Sequence, residues 1–184
     1  YVLSTFTAFL IVPILVKFYE KRTILLTAIS FAALIPPIPI FLFINGYLPS
    51  MGTWDLFFAT IPFVYIANTS LSSSSIIRES MLGDISDEVE LDTNLGQQGL
   101  MYASSSLIGK LNTGLGILMA GLALEFIGFP QGSQVTPNAD QIFNLAMIQG
   151  PLVAMLMIIP FAIFSMYKID RFKHQEIITE LENR

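Results

Sequence analysis

Lys110 is the only cation in residues 99–129, a stretch otherwise almost wholly apolar or small, and no acid stands within several residues of it. A charged side chain at membrane depth costs on the order of 2.5–3.5 kcal/mol on insertion scales, so it is seldom kept without a use. Two readings stay open. The aliphatic stem can carry the ammonium toward the headgroups, because Lys110 lies nearer one end of its apolar run. Alternatively, the ammonium faces a polar pathway through a bundle. Around it Ser105, Gly109 and Thr113 recur every four residues, giving a helix face thin enough for another helix or a solute to approach. Tyr102, Ser106 and Asn112 add polar groups near that face. Glu125, toward the far end of the same run, reads as interfacial.

Three other groupings could carry chemistry. Residues 68–80, NTSLSSSSIIRES, concentrate hydroxyls in an apolar setting. As helix they supply small surfaces for close packing, or line a water-filled path. Asn68, a full amide near mid-span, is the least ordinary of them. Asp84, Asp87, Glu88, Glu90 and Asp92 crowd an acidic segment, GDISDEVELDTNLGQQ, expected to be a solvated loop. Its carboxylates invite calcium, or basic partners in a part of the protein outside this chain, but the glycine-punctuated alternation of an EF-hand is absent. His174 reads as a solvated surface histidine, with no ligand spacing around it. One histidine, no cysteine, and no GxSxG, HExxH or Walker pattern leave no nucleophile–base pair and no metal set, and disulfides are excluded.

The elements that must position these residues are membrane spans. Of 184 residues 53% are hydrophobic and only 12% charged, with a mean hydropathy of +0.66, whereas soluble domains carry about 25% charged residues. Fifteen Phe and eight Met add apolar bulk that a soluble core of this size could not hide. Runs able to cross a bilayer, about 20 apolar residues each, are expected at 2–16 (short), 24–44, 54–82, 99–129 and 141–167. Lys17, Lys21, Arg22, Arg78, Lys168, Arg171, Lys173 and Arg184 then fall on one side, and the segments 45–53 and 130–140 carry no Lys or Arg. The positive-inside rule puts 17–23, 83–98 and the tail in the cytoplasm. Pro36, Pro37, Pro39, Pro62, Pro151 and Pro160 predict kinked spans. Ile169, Phe172, Ile178 and Leu181 suit a short amphipathic tail helix on the cytoplasmic surface. The chain opens on Tyr1, already within an apolar run, so it reads as the back part of a longer polytopic protein.

The stretch SMLGDISDEVELDTNLGQQGLMYASSSLIGKLNTGLG resembles the glycoside–pentoside–hexuronide:cation symporters, the melibiose-permease-like branch of the major facilitator superfamily. Ser80-Met81-Leu82-Gly83-Asp84, Asp87, Glu90, Gly99, Tyr102 and Lys110 fall in step with that family's pattern. The segment after the first apolar run and the tail are similar too. The resemblance implies an all-α membrane protein, a major facilitator C-terminal bundle whose five spans are helices 8–12 of twelve. Residues 1–167 would form the partial bundle and 168–184 the cytoplasmic tail. It further implies a substrate and cation cavity with Lys110, Tyr102, Ser106, Thr113 and Asn68, and a cytoplasmic charge network of Asp84, Asp87 and Glu90 that holds two halves of the carrier together. Gly96, Gln97 and Gln98 depart from the family's Arg and Glu before the glycine, so part of that network is missing or rebuilt.

The expected function is secondary active transport: cation-coupled symport of a sugar or related small solute, with no catalytic residues, no metal and no cofactor beyond a coupling Na⁺ or H⁺. The expected partners are the solute, membrane lipids and the N-terminal half of the same carrier, in the cell membrane, with no nucleic acid. The alternatives are a non-transporting scaffold of the same fold and a carrier of a non-sugar solute such as a lipid.

Overall fold

The computed structural model describes residues 1–130 and 137–182, so that most of the expected 130–140 loop, and Arg184, lie outside the described residues. Every regular element among the described residues is helical. In chain order these are α1 (Val2–Phe18), α2 (Lys21–Leu34), α3 (Pro37–Ile44), α4 (Trp54–Thr93), α5 (Gln98–Phe126) and α6 (Ala139–Met147). A π-helical turn (Ile148–Leu152), α7 (Val153–Leu156), α8 (Ile158–Ser165) and α9 (Arg171–Glu182) follow. Lys21–Ile44, Trp54–Thr93, Gln98–Phe126 and Asp140–Ser165 are each long and apolar enough to cross a membrane, and α1 is a shorter apolar helix of 17 residues. This is an all-helical, multi-pass membrane protein.

Prolines decide where the spans break. α2 ends at Leu34, ahead of Pro36 and Pro37, and α3 restarts with Pro37 at its first position, where a missing N–H costs little. The span expected at 141–167 is likewise divided. Pro151 falls within the π-helical turn and Pro160 in the first turn of α8. Pro13 and Pro62 stay inside continuous helices. At the π-helical turn the backbone of Gly150 meets α3 closely: a Cβ there would lie 2.5 Å from Ile40 Cδ1 and 3.5 Å from Pro37 Cα.

α4 corrects one expectation. The acidic segment is not a loop; residues 83–93 continue the helix, and only 94–97 connect it to α5. The Thr53 hydroxyl caps the start by accepting from the Leu56 N–H at 3.3 Å, with Asp55 in the first turn. The helix stops only at Asn94, whose φ of 56° is the left-handed conformation of a C-cap. No proline lies between Pro62 and that cap, and Asp84, Asp87, Glu88 and Leu91 share a face at helical spacing. Forty residues make a helix roughly 60 Å long, about twice the hydrocarbon thickness, so one end of α4 projects beyond the apolar layer.

α4 is also the axis of the bundle. α1 and α2 pack along it, α8 packs on α2, and α9 lies against its projecting end. Val12, Ile24, Leu25, Ile29, Ile77 and Met81 form the buried core, with Phe164 and Tyr167 packed on its edge. α5 makes its main contact with α4 and has no buried residue. In the tail, α9 begins only at Arg171, and the face turned inward differs from the expected stripe. Ile169 and Ile177 are buried, whereas Phe172 is 80% exposed.

Candidate functional site

The projecting end of α4 carries a charge cluster centred on Asp84, itself only 5% exposed. Lys21, the first residue of α2, donates from Nζ to both Asp84 carboxylate oxygens at 2.6 and 2.8 Å. Tyr167, just past α8, donates its hydroxyl to Asp84 Oδ2 at 3.1 Å. His174 on α9 places Nε2 3.2 Å from Asp87 Oδ2 and 3.4 Å from Asp84 Oδ1. Lys173 pairs with Glu88 one turn along α4. The Asp84 charge is thus matched within its own bundle, as a buried carboxylate must be. Burial, the Asp84 charge and the hydrogen bond to it push the Tyr167 phenol well above its ordinary range, with Glu88 adding to the same effect. The hydrogen bond to Glu88 raises Lys173 despite some loss of hydration.

The tail is tied down by the same chemistry. Asp170 Oδ1 accepts from the Lys173 N–H at 2.8 Å at the start of α9. The Arg171 guanidinium donates to the carbonyls of Val16, Lys17 and Tyr19, the open carbonyl end of α1. Its backbone N–H donates to Glu20 Oε2 at 3.2 Å.

Three sequence expectations change here. His174 is no solvated surface residue but sits between two acids, because α9 folds back onto α4. Asp84, Asp87 and Glu88 share a cluster whose bases come from α2 and α9 of the same bundle, while Glu90 points to another face of α4 and lies beside Gly96. The departure at Gln98 is partly compensated, since its Nε2 donates to Asp87 Oδ1 at 3.4 Å. Lys21, Glu88, Tyr167, Lys173 and His174 were not named from sequence as members. The available signal was that basic clusters and acidic run fall on the same side of the spans; which base meets which acid depends on packing.

A second site lies between α4 and α5. Arg78, Ser106, Gly109, Lys110, Asn112 and Thr113 line an open groove of about 620 Å³. Helical spacing puts Ser106, Lys110 and Thr113 on one face of α5. A Cβ at Gly109 would meet nothing within 4 Å, so the thin face made by Ser105, Gly109 and Thr113 borders open space rather than another helix. Thr113 donates to the Gly109 carbonyl at 2.9 Å, leaving its lone pairs free. The side chains of Ser106, Lys110 and Asn112 make no hydrogen bond or ion pair among the described residues. The other expected cavity residues stand apart. Tyr102 reaches the Glu79 carbonyl at 3.5 Å where α5 first meets α4. Asn68 donates back to Val64 O at 2.9 Å within α4 and does not line the groove. No group of His, Cys, Asp and Glu among the described residues is placed to hold a metal ion.

Fold and site together are those of a polytopic helical membrane protein: a proline-broken bundle, a polar groove within it and an ionic cluster at one end. The sequence model of the MFS/sugar transport protein family matches residues 1–171, and the chain belongs to that family, in keeping with the symporter resemblance of its motifs. A protein of Synechocystis sp. described as an uncharacterized symporter is 29% identical over 122 residues, covering 64% of this chain and 22% of the relative. The chain therefore spans about a fifth of the length of the curated relative it matches. No solved structure gives a significant match.

Proposed function

We propose that the chain is the C-terminal part of a secondary active transporter that couples movement of a sugar or related small solute to Na⁺ or H⁺. The observation that carries this reading is the groove between α4 and α5, where an unpaired Lys110 lies among hydroxyls and an amide on a helix otherwise exposed. A lysine in that position, without a protein partner among the described residues, makes sense where solute or partner helices complete the site. Family membership and the symporter relative agree with it. In this reading the bundle rocks against the N-terminal half of the carrier around a site at mid-membrane. The charged end faces the cytoplasm of the cell membrane, as the distribution of Lys and Arg favours.

The test is gradient-driven accumulation of radiolabelled sugars by the full-length carrier, with Lys110→Ala beside the wild type. Accumulation that requires a Na⁺ or H⁺ gradient and falls by about ten-fold or more in the variant is the expected result, the scale of one lost charge-assisted contact. Normal accumulation in Lys110→Ala removes Lys110 from the cavity.

A further inference from the structure

The end of the bundle away from the Asp84 cluster holds a different groove, bounded by α3, the start of α4 and α6. Ile40 and Phe43, Leu56, and Phe143 and Ala146 make its walls, and its volume is about 640 Å³. Asp140 is its one charged lining residue. The Thr60 hydroxyl, deeper in, already donates to the Leu56 and Phe57 carbonyls at 3.0 and 3.1 Å. Below the carboxylate the wall therefore offers no free donor, which suits a hydrocarbon chain and not a polyol. Asp140 itself has no protein partner. Asn138 and Gln141 cap α6 reciprocally without it, at 2.8 and 2.9 Å, and its side chain makes no hydrogen bond or ion pair among the described residues. Segments 45–53 and 130–140 carry no Lys or Arg, and the acids at this end are Asp55, Glu125 and Asp140. Depth follows from the aromatic residues. Trp54, 75% exposed, meets Phe57 edge-on at 5.8 Å, as aromatics at headgroup level do. Leu56 and Asp140, in the first turns of α4 and α6, put the mouth of the groove at that level, and Ala146 lies about 9 Å further along α6.

We propose that this groove holds an acyl chain of a phospholipid with a primary ammonium headgroup, and that Asp140 receives that ammonium. One acid at headgroup level with only apolar wall beneath it is complementary to such a lipid in both charge and polarity. A primary ammonium donates charge-assisted hydrogen bonds to a carboxylate. A quaternary choline has no N–H to give, and an anionic headgroup meets an unpaired negative charge. The inference is independent of what the carrier moves, since none of these residues lines the groove of Lys110.

Photocrosslinking of the full-length carrier in detergent micelles tests this. The probe is phosphatidylethanolamine with a diazirine on one acyl chain, competed by unlabelled phosphatidylethanolamine, phosphatidylcholine or phosphatidylglycerol of matched chains. Wild type is expected to be labelled within 39–44 and 142–146. Phosphatidylethanolamine is expected to compete at a concentration about ten-fold or more below that of either other lipid, the scale of one charge-assisted hydrogen bond. Asp140→Asn is expected to remove most of that difference and Asp140→Glu to restore part of it. Ala146→Trp, which fills the groove, is expected to abolish the labelling. Equal competition by phosphatidylethanolamine and phosphatidylcholine in wild type overturns the proposal, a comparison that needs no variant. A preference unchanged in Asp140→Asn overturns it as well. Labelling confined to other helices, or absent altogether, also rejects it. None of these results bears on cation-coupled uptake, which the symport experiment decides separately.

Discussion

At the scale of single residues, Asp84 concentrates the largest energetic stake. It is buried, receives two hydrogen bonds from Lys21 and one from Tyr167, and lies beside His174. Removing one partner of a buried pair costs about 3–5 kcal/mol because the other charge is stranded. Asp84→Asn is therefore expected to lower the thermal stability of the detergent-solubilised carrier by most of that amount, and Lys21→Met in the same background to recover part of it. A second substitution that destabilises further would break the pairing argument. Tyr167 gives a pH signature. The folded state holds its phenol protonated above the ordinary value of 10.0, so unfolding in that range releases a proton. Stability from the Asp84 hydrogen bond is then intact below pH 10 and drains away as the pH climbs through the raised value. Lys173, raised from 10.5 by Glu88, loses its contribution in the same direction. Melting curves between pH 9 and 11 are expected to fall less steeply for Tyr167→Phe than for wild type; parallel curves would exclude Tyr167 as the source.

At the scale of elements, two joints carry the arrangement. Gly150 lets the π-helical turn approach α3, and only the flexible end of Ile40 and the Pro37 backbone stand in the way of a side chain. Gly150→Ala should be absorbed by an Ile40 rotamer change at a cost of about 1 kcal/mol, while Gly150→Leu should cost about 3 kcal/mol through overpacking. Equal melting temperatures for the two variants would show that the joint is looser than its geometry. The second joint is α9. Arg171 binds three carbonyls at the end of α1, and Lys173 and His174 bind the acids of α4. Arg171→Ala is expected to expose the tail to limited proteolysis several-fold faster, since charged hydrogen bonds of this kind contribute about 1.5–3 kcal/mol. Unchanged cleavage would place the tail's anchorage elsewhere.

At the scale of the whole molecule, the question is how the bundle lies in the membrane. The charged end and the α3–α4 connection are at opposite ends of the spans, and Phe172 and Tyr47 are exposed at 80% and 78%. The chain has no cysteine, which makes single-cysteine labelling clean. In a cysteine-free carrier, Tyr47→Cys is expected to react with an impermeant maleimide on intact cells, and Phe172→Cys only after permeabilisation. Labelling of both from outside would reject the cytoplasmic assignment of the tail.

Hydropathy and charge distribution by themselves determined the all-helical membrane class, the approximate bounds of the spans and the side that gathers the bases, because lipid tolerates only helices with satisfied backbones and few charges. The family motif likewise picked out Lys110, Asp84 and Asp87 as positions to examine. Composition could not show that the acidic run stays helical. Charge and polarity suggested solvent, and only the bases arriving from α2 and α9 give those carboxylates partners along one face. For the same reason His174 looked solvated until α9 folded back, and Glu88 rather than Glu90 proved to face the cluster. Arg78 counted only among the bases of one side until α5 came alongside it. Pairing of charges and the lining of a groove are contacts between segments distant in the chain, and such contacts exist only once the helices have packed.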